Sequence, residues 1–269
     1  MSTQYLENEN GRIAYDENHN GSLVLCVPSM GDLRAEYRLL TPQLVAGGFR
    51  AVCMDVRGHG ESSTIWEDYS VIGIGSDMLA LIRKLNNGPA CIVATSMAAG
   101  AAVWAAAEAP KLVSGMVLIG PFVRGETSWL NRLFYATLFH RPWGVAMWNL
   151  YYNSLYPTRK PADFASYRTA LRANLRQPGR IEALLKMLIA SKSASEQRLS
   201  RVICPVLVLM GSKDPDFKKP ESEAAWVAGQ LKARYEMIKD AGHYPHAEMP
   251  EVSGPLILSF LNSQKVVNS

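Results

Sequence analysis

The stretch Cys91-Ile92-Val93-Ala94-Thr95-Ser96-Met97-Ala98-Ala99-Gly100 constrains this chain more than any other. Its first half, apolar and β-branched, predicts a buried strand. An alanine-rich segment of high helix propensity follows at once. The strand must therefore turn into the helix with a serine at the tip. So tight a turn strains its central residue and leaves room only for small residues two before and two after it. Ala94 and Ala98 meet that requirement, although glycine is the usual residue at both places. A serine held this way exposes its oxygen above a sheet edge, beside the free amides of a helix N-terminus. The competing expectation is an ordinary N-cap serine whose hydroxyl bonds the first helical turn.

An alcohol is a poor nucleophile at neutral pH and needs a base, which in turn needs an orienting group. The chain has five histidines. His19 lies in a polar N-terminal turn, His59 within Arg57-Gly58-His59-Gly60, and His140 in an aromatic segment before Arg141-Pro142. His243 and His246 share the loop Asp240-Ala241-Gly242-His243-Tyr244-Pro245-His246. A loop just past the last strand can reach back over the sheet's C-terminal edge, so His243 is the expected base and His246 is expected to help hold the loop. The orienting acid is expected where the apolar run Pro205–Met210 ends, in Gly211-Ser212-Lys213-Asp214-Pro215-Asp216. Asp214 is favoured and Asp216 is its competitor. The alternative for Asp214 is a turn-forming residue before proline. The order Ser96, Asp214, His243 is that of the α/β-hydrolase arrangement.

The chain resembles the α/β-hydrolase fold superfamily over nearly its whole length. The matching pieces are Met54-Asp55-Val56-Arg57-Gly58-His59-Gly60-Glu61-Ser62, the Ser96 turn, Gly211-Ser212-Lys213-Asp214, and Gly242-His243-Tyr244-Pro245-His246-Ala247-Glu248. The resemblance implies that Asp55 and His59 form a structural turn after a strand. It also implies an oxyanion hole made by two backbone amides, one from Met97 and one from the loop after Leu23–Val27. The family usually carries His-Gly there, whereas this chain reads Val27-Pro28-Ser29-Met30-Gly31. Pro28 has no N–H, so Ser29 is expected to supply the second amide, with its hydroxyl as a further donor.

Predicted strands are Arg12–Tyr15, Leu23–Val27, Arg50–Met54, Ala90–Thr95, Gly115–Ile119, Val206–Met210 and Tyr235–Ile238. Predicted helices are Pro42–Ala46 (capped by Thr41), Ile72–Leu85, Met97–Glu108, Glu221–Leu231 and Val252–Leu261. Their alternation indicates an α/β fold: a mostly parallel central sheet flanked by helices. Residues 1–122 and 201–269 are expected to form the core domain. Between about Val123 and Ser200 the alternation gives way to helical pattern dense in aromatics. In the resembling family a helical cap is inserted here, so 123–200 is the expected cap, with Phe122, Trp129, Trp143 and Trp148 as substrate-contacting candidates. Arg168, Arg172 and Arg176 share one face of a predicted helix, with Phe164, Tyr167, Leu171 and Leu175 opposite. That face is expected to be solvated, with an anion or acidic partner as the alternative.

Hydrophobic residues make up 48% and charged residues 19% of the 269, ordinary for a soluble globular protein. A net charge of +4 gives no electrostatic footprint for nucleic acid. No signal peptide is expected from the start Met1-Ser2-Thr3-Gln4-Tyr5, which has no cationic start and no apolar run, and no apolar run approaches the ~18 residues of a membrane span. Cys26, Cys53, Cys91 and Cys204 lie in or beside predicted strands, are expected to be buried thiols, and show no metal-ligand spacing. A cytoplasmic protein without metal or organic cofactor is expected. The expected activity is hydrolysis of an ester or related acyl bond in a small to medium apolar substrate. Lactonase, thioesterase, perhydrolase and carbon–carbon bond hydrolase chemistry remain open on the same triad. So does a slow-turnover ligand-binding or signalling role. A serine at the nucleophile position argues against the aspartate-dependent dehalogenases and epoxide hydrolases of the superfamily.

Overall fold

Short apolar runs produce eight strands joined into one sheet in the computed structural model, which describes residues 3–9, 11–18 and 20–267. His19 lies outside the described residues. The strands are β1 (Gln4–Asn8), β2 (Gly11–Asn18), β3 (Ser22–Val27), β4 (Phe49–Met54), β5 (Ala90–Thr95), β6 (Val113–Ile119), β7 (Val206–Gly211) and β8 (Arg234–Ile238), in spatial order β1-β2-β4-β3-β5-β6-β7-β8. β1–β2 and β2–β4 are antiparallel, and every other pairing is parallel.

Side chains alternate across the sheet with period two. Leu23, Leu25, Ile92, Ala94, Met116 and Leu118 face one apolar layer, and Val24, Cys26, Cys91, Val93, Val117 and Ile119 face the other. The first layer is completed by α2 (Val71–Leu85), α3 (Met97–Glu108) and α9 (Pro220–Leu231). The second is completed by α1 (Thr41–Ala46) and α11 (Pro250–Val267). Both faces of the parallel strands are covered, which is why they read as continuous apolar runs.

The strand order reverses between β3 and β5. Their following loops diverge there, and the crevice at the strands' C-terminal ends is the usual ligand position in an open α/β sheet. Between β6 and β7 the chain forms α4 (Trp129–Leu138), α5 (Gly144–Ser154), α6 (Phe164–Leu175), α7 (Arg180–Ile189) and α8 (Ser193–Glu196). They carry an aromatic cluster of their own, built from Phe139, Trp148, Tyr152, Tyr156, Phe164 and Tyr167. α10 (Pro245–Glu248) follows the His243 loop.

Four details depart from expectation. β1 is an added edge strand. Thr41 lies inside α1 and does not cap it; its hydroxyl donates back to the Tyr37 carbonyl at 2.9 Å. The last helix continues to Val267, past Leu261, where its predicted range ends. Cys204 precedes β7 and is half-buried, whereas Cys26, Cys53 and Cys91 are buried.

Candidate active site

Ser96 occupies the junction of β5 and α3 with φ 59° and ψ −123°. A non-glycine residue there carries strain of order 1–3 kcal/mol and needs its surroundings to hold it. Its own N–H donates to the Ile119 carbonyl at 2.8 Å, and its carbonyl accepts from Phe122 N–H at 3.1 Å. Ala94 and Ala98 are buried on either side. Its hydroxyl makes no capping bond to the first turn of α3, so the N-cap alternative does not describe it.

His243 and Asp214 meet over the same sheet edge. The His243 Nδ1 lies 2.7 Å from Asp214 Oδ2 and 3.7 Å from Asp216 Oδ2. Asp214 is thus the hydrogen-bonded partner. Asp216 instead accepts the Tyr151 hydroxyl at 2.6 Å. With Nδ1–H directed at Asp214, the ring keeps Nε2 as its proton acceptor. Burial alone would push the imidazole down, but the Asp214 and Asp216 carboxylates outweigh it and raise His243 to about 9. Burial pushes Asp216 upward against the pull of His243.

Backbone contacts fix this pair. Lys213 N–H donates to Ala241 O at 2.9 Å, and His243 N–H donates to Leu155 O at 3.0 Å. Gly242 is required by the second approach, since a Cβ there would lie 2.3 Å from Leu155 O. Gly120, at φ +51°, leaves room for the pair itself: a Cβ would stand 2.9 Å from His243 Cε1 and 3.2 Å from Asp214 Oδ2.

The loop after β3, the expected source of an oxyanion-hole amide, differs from expectation. Ser29 N–H is already committed to the buried Glu36 carboxylate, Oε2, at 2.8 Å. Its hydroxyl is paired with the Tyr244 hydroxyl at 2.6 Å. Neither group is directed at a ligand. The next amide belongs to Met30, which borders the cavity described below. Met97 opens α3, where the first amides have no intrahelical acceptor.

Two supporting residues, Glu36 and Asp32, carried no recognisable sequence signal, whereas Glu248 and His246 belong to the matching histidine-loop segment. Glu36 sits in a 3₁₀ turn, Arg34–Leu39, seven residues beyond the amide it holds. Asp32, fully buried, accepts the hydroxyls of Tyr152 and Tyr167 from the inserted helices. Burial and the neighbouring Glu36 push its carboxyl well above the usual range. Glu248 accepts from Gly242 N–H at 2.6 Å and from the Thr158 and Arg159 amides at 3.0 and 2.8 Å, joining the histidine loop to the inserted helices. His246 is buried against the Tyr37 ring, with Nε2 3.0 Å from Glu36 Oε1 but off hydrogen-bond geometry.

Asp55 pairs with Arg34 and accepts Glu61 N–H, and His59 accepts Gly31 N–H on Nε2 at 3.0 Å. Both are turn-forming groups, and His59 also braces the loop after β3.

Above the crevice lies a cavity of about 630 Å³, within the usual range for small-molecule sites. Met30, Phe122 and Asp216 border it from the sheet side, and Tyr135, Phe139 and Trp148 border it from the inserted helices; Phe122 N–H bonds the Ser96 carbonyl, and Asp216 Oδ2 lies 3.7 Å from His243 Nδ1. Phe122 packs edge-on to His243, and Trp148 donates from Nε1 to Gly31 O at 3.1 Å. Trp129 and Trp143 do not line this cavity. They are 72% and 49% exposed, Trp129 at the start of α4 and Trp143 just before α5. On α6, Phe164, Tyr167, Leu171 and Leu175 are buried as its pattern predicts, Arg172 is exposed, and Arg168 bonds Asn153 at 3.0 Å.

Among the described residues, Asp214, Asp216 and His243 are the one set of ligand-type atoms close enough to share a metal ion. An ion on His243 Nδ1 would replace its bond to Asp214, so the observed pairing and metal ligation are alternatives. No helix among the described residues is long and apolar enough to cross a membrane.

The family model of the alpha/beta hydrolase fold matches residues 22–250. A Mycobacterium tuberculosis protein named as the non-heme bromoperoxidase BpoC is 28% identical, covering 94% of this chain and 98% of that protein. The 2-(acetamidomethylene)succinate hydrolase of Mesorhizobium japonicum is 32% identical over 43% of each chain. Among solved structures, a Bacillus anthracis bromoperoxidase superposes with a TM-score of 0.84 at 18% identity, over 97% of this chain and 100% of that one. A Thermogutta terrifontis esterase does so with 0.80 at 20% identity, over 98% and 99%.

Proposed function

The chain belongs to the α/β hydrolase fold family, and on that footing we propose that it is a serine hydrolase acting on an ester or related acyl bond of a small to medium apolar substrate. The strained Ser96 and the buried His243–Asp214 pair, linked through Phe122, which bonds the Ser96 carbonyl and packs edge-on to His243, carry this reading. Ser96 Oγ attacks the acyl carbon and its proton passes to His243 Nε2. Asp214 holds the ring with Nε2 free and stabilises the imidazolium that forms. The carbonyl oxygen gains the negative charge and takes the Met97 and Met30 amides, worth a few kcal/mol of barrier. Met30 replaces Ser29 in this role because the Ser29 amide is occupied by Glu36.

Collapse of the tetrahedral intermediate expels the alcohol, which receives the His243 proton. Water then gives its proton to His243 and attacks the acyl-enzyme, releasing the acid and restoring Ser96. The inserted helices, residues 123–200, act as the cap, and their aromatics favour an apolar substrate portion.

The bromoperoxidase relative supports a second reading, in which hydrogen peroxide replaces water at the acyl-enzyme and the product is a peroxy acid. A p-nitrophenyl ester panel from acetate to octanoate tests the main proposal. Ser96→Ala is expected to lose on the order of 10³-fold or more in kcat/KM. Equal rates in both proteins would remove Ser96 from the nucleophile role.

A further inference from the structure

We propose that Lys192 receives a carboxylate of the substrate inside this cavity, so that the molecule cleaved is the ester of an acidic, monoanionic compound. The proposal deepens the serine-hydrolase reading and rests on it for the location of the scissile bond alone.

Four charged side chains border the cavity: Arg124, Glu126, Lys192 and Asp216. Three are accounted for. Arg124 is held by both oxygens of Glu223, at 3.0 and 2.6 Å, and lies over the Trp226 ring. Asp216 takes the Tyr151 hydroxyl beside His243. Glu126 is solvent-exposed.

Lys192 is different. It is 8% exposed, and no carboxylate among the described residues pairs with it. Its amine donates to the Ala190 carbonyl at 2.9 Å, which leaves two of its three N–H groups for another acceptor. Burial, with no compensating charge, pushes the amine down to about 8. A buried cation without a counter-ion is unfavourable in an empty site and favourable once an anion enters. Position is fixed as well. Lys192 N–H donates to Gly125 O at 3.1 Å, and the Lys192 carbonyl accepts from Ser195 and Glu196, so the stem starts from a built turn at the head of α8. One unmatched positive charge matches one negative charge, which selects a carboxylate over a phosphate dianion. The aromatic lining receives the apolar body joining that carboxylate to the acyl group.

Calorimetry on the Ser96→Ala protein reads binding without turnover, using 4-phenylbutyrate, 4-phenylbutanamide and phenyl phosphate. The carboxylate is expected to bind about tenfold or more tightly than its amide. Lys192→Met should abolish that preference and Lys192→Arg should retain part of it. If Lys192→Met does not fold by circular dichroism, Lys192→Gln replaces it. Equal affinity for acid and amide, a preference that survives loss of the lysine charge, tighter binding of phenyl phosphate, or no binding of any of the three would each overturn the proposal.

Turnover of mono-p-nitrophenyl glutarate against p-nitrophenyl butyrate separates the two readings. Hydrolysis of neither ester with selective carboxylate binding would sink the hydrolase reading and leave Lys192 standing. Equal kcat/KM for both esters without selective binding would do the reverse.

Discussion

Acid should destabilise this protein through His59, by an amount that follows from its surroundings. The ring is fully buried, with Nε2 accepting Gly31 N–H at 3.0 Å and Nδ1 3.2 Å from the Arg57 carbonyl. Burial is the main reason its pKa falls from 6.5 to about 4; the Arg57 carbonyl opposes the fall and Arg180 adds to it. The folded value therefore lies below the unfolded one. Above about 6.5 neither state is protonated and His59 costs nothing. Between about 6.5 and about 4 the unfolded chain binds a proton that the folded chain refuses, so stability drops as pH falls. The full window corresponds to roughly 3 kcal/mol, most of it lost by pH ~4.5. Urea denaturation at pH ~7.5 and ~4.5 measures this, with His59→Gln as the control that keeps an amide acceptor but cannot titrate. The wild type should lose roughly 2–3 kcal/mol more than the variant across that interval. Raised carboxyls such as Asp32, Asp55 and Asp77 act in both proteins and cancel in the difference. A differential loss under about 1 kcal/mol would refute the argument that His59 is held neutral.

Asp214→Asn should lower kcat by on the order of 10³–10⁴, because the amide cannot hold the same histidine tautomer; Asp216→Asn should cost far less, and the reverse ranking in steady-state assays would exchange their roles. The base form of His243 is populated above its pKa of about 9, so kcat/KM should climb with pH toward that value. Asp216→Asn removes one of the carboxylates that raise it and should move this limb to lower pH, whereas an unmoved limb would deny the coupling. Gly120→Ala places a methyl group 2.9 Å from His243 Cε1 at a φ of +51°. Its kcat should fall at least ~10-fold with ~1–2 kcal/mol of stability, read by kinetics and a thermal melt; a fully active variant would show that the histidine is less confined than its packing implies.

Much of this was readable from residue order because parallel strands buried on both faces leave unbroken apolar runs, and because a serine between a strand and an alanine-rich helix has few conformations open to it. β1 escaped notice because Gln4-Tyr5-Leu6-Glu7-Asn8 is an edge strand with a single buried side chain. Thr41 misled as a cap because Leu40 already occupies the position before the helix. The Ser29 assignment failed for a tertiary reason. Position along the loop is visible in sequence, but the prior claim of Glu36 on that amide exists only once the 3₁₀ turn folds back. Aromatic density between residues 123 and 200 could not separate Trp148, which borders the cavity, from Trp129 and Trp143, which are exposed and do not line it. Lys192 had no motif at all, and only its burial beside the cavity distinguishes it from other lysines.

Whether Ser96 is an activated nucleophile is tested most directly by a fluorophosphonate probe followed by peptide mass spectrometry. One phosphonyl adduct is expected, located on Ser96, absent in Ser96→Ala and greatly slowed in His243→Ala. No adduct on the folded wild type, or an adduct on a different serine, would contradict that role for Ser96.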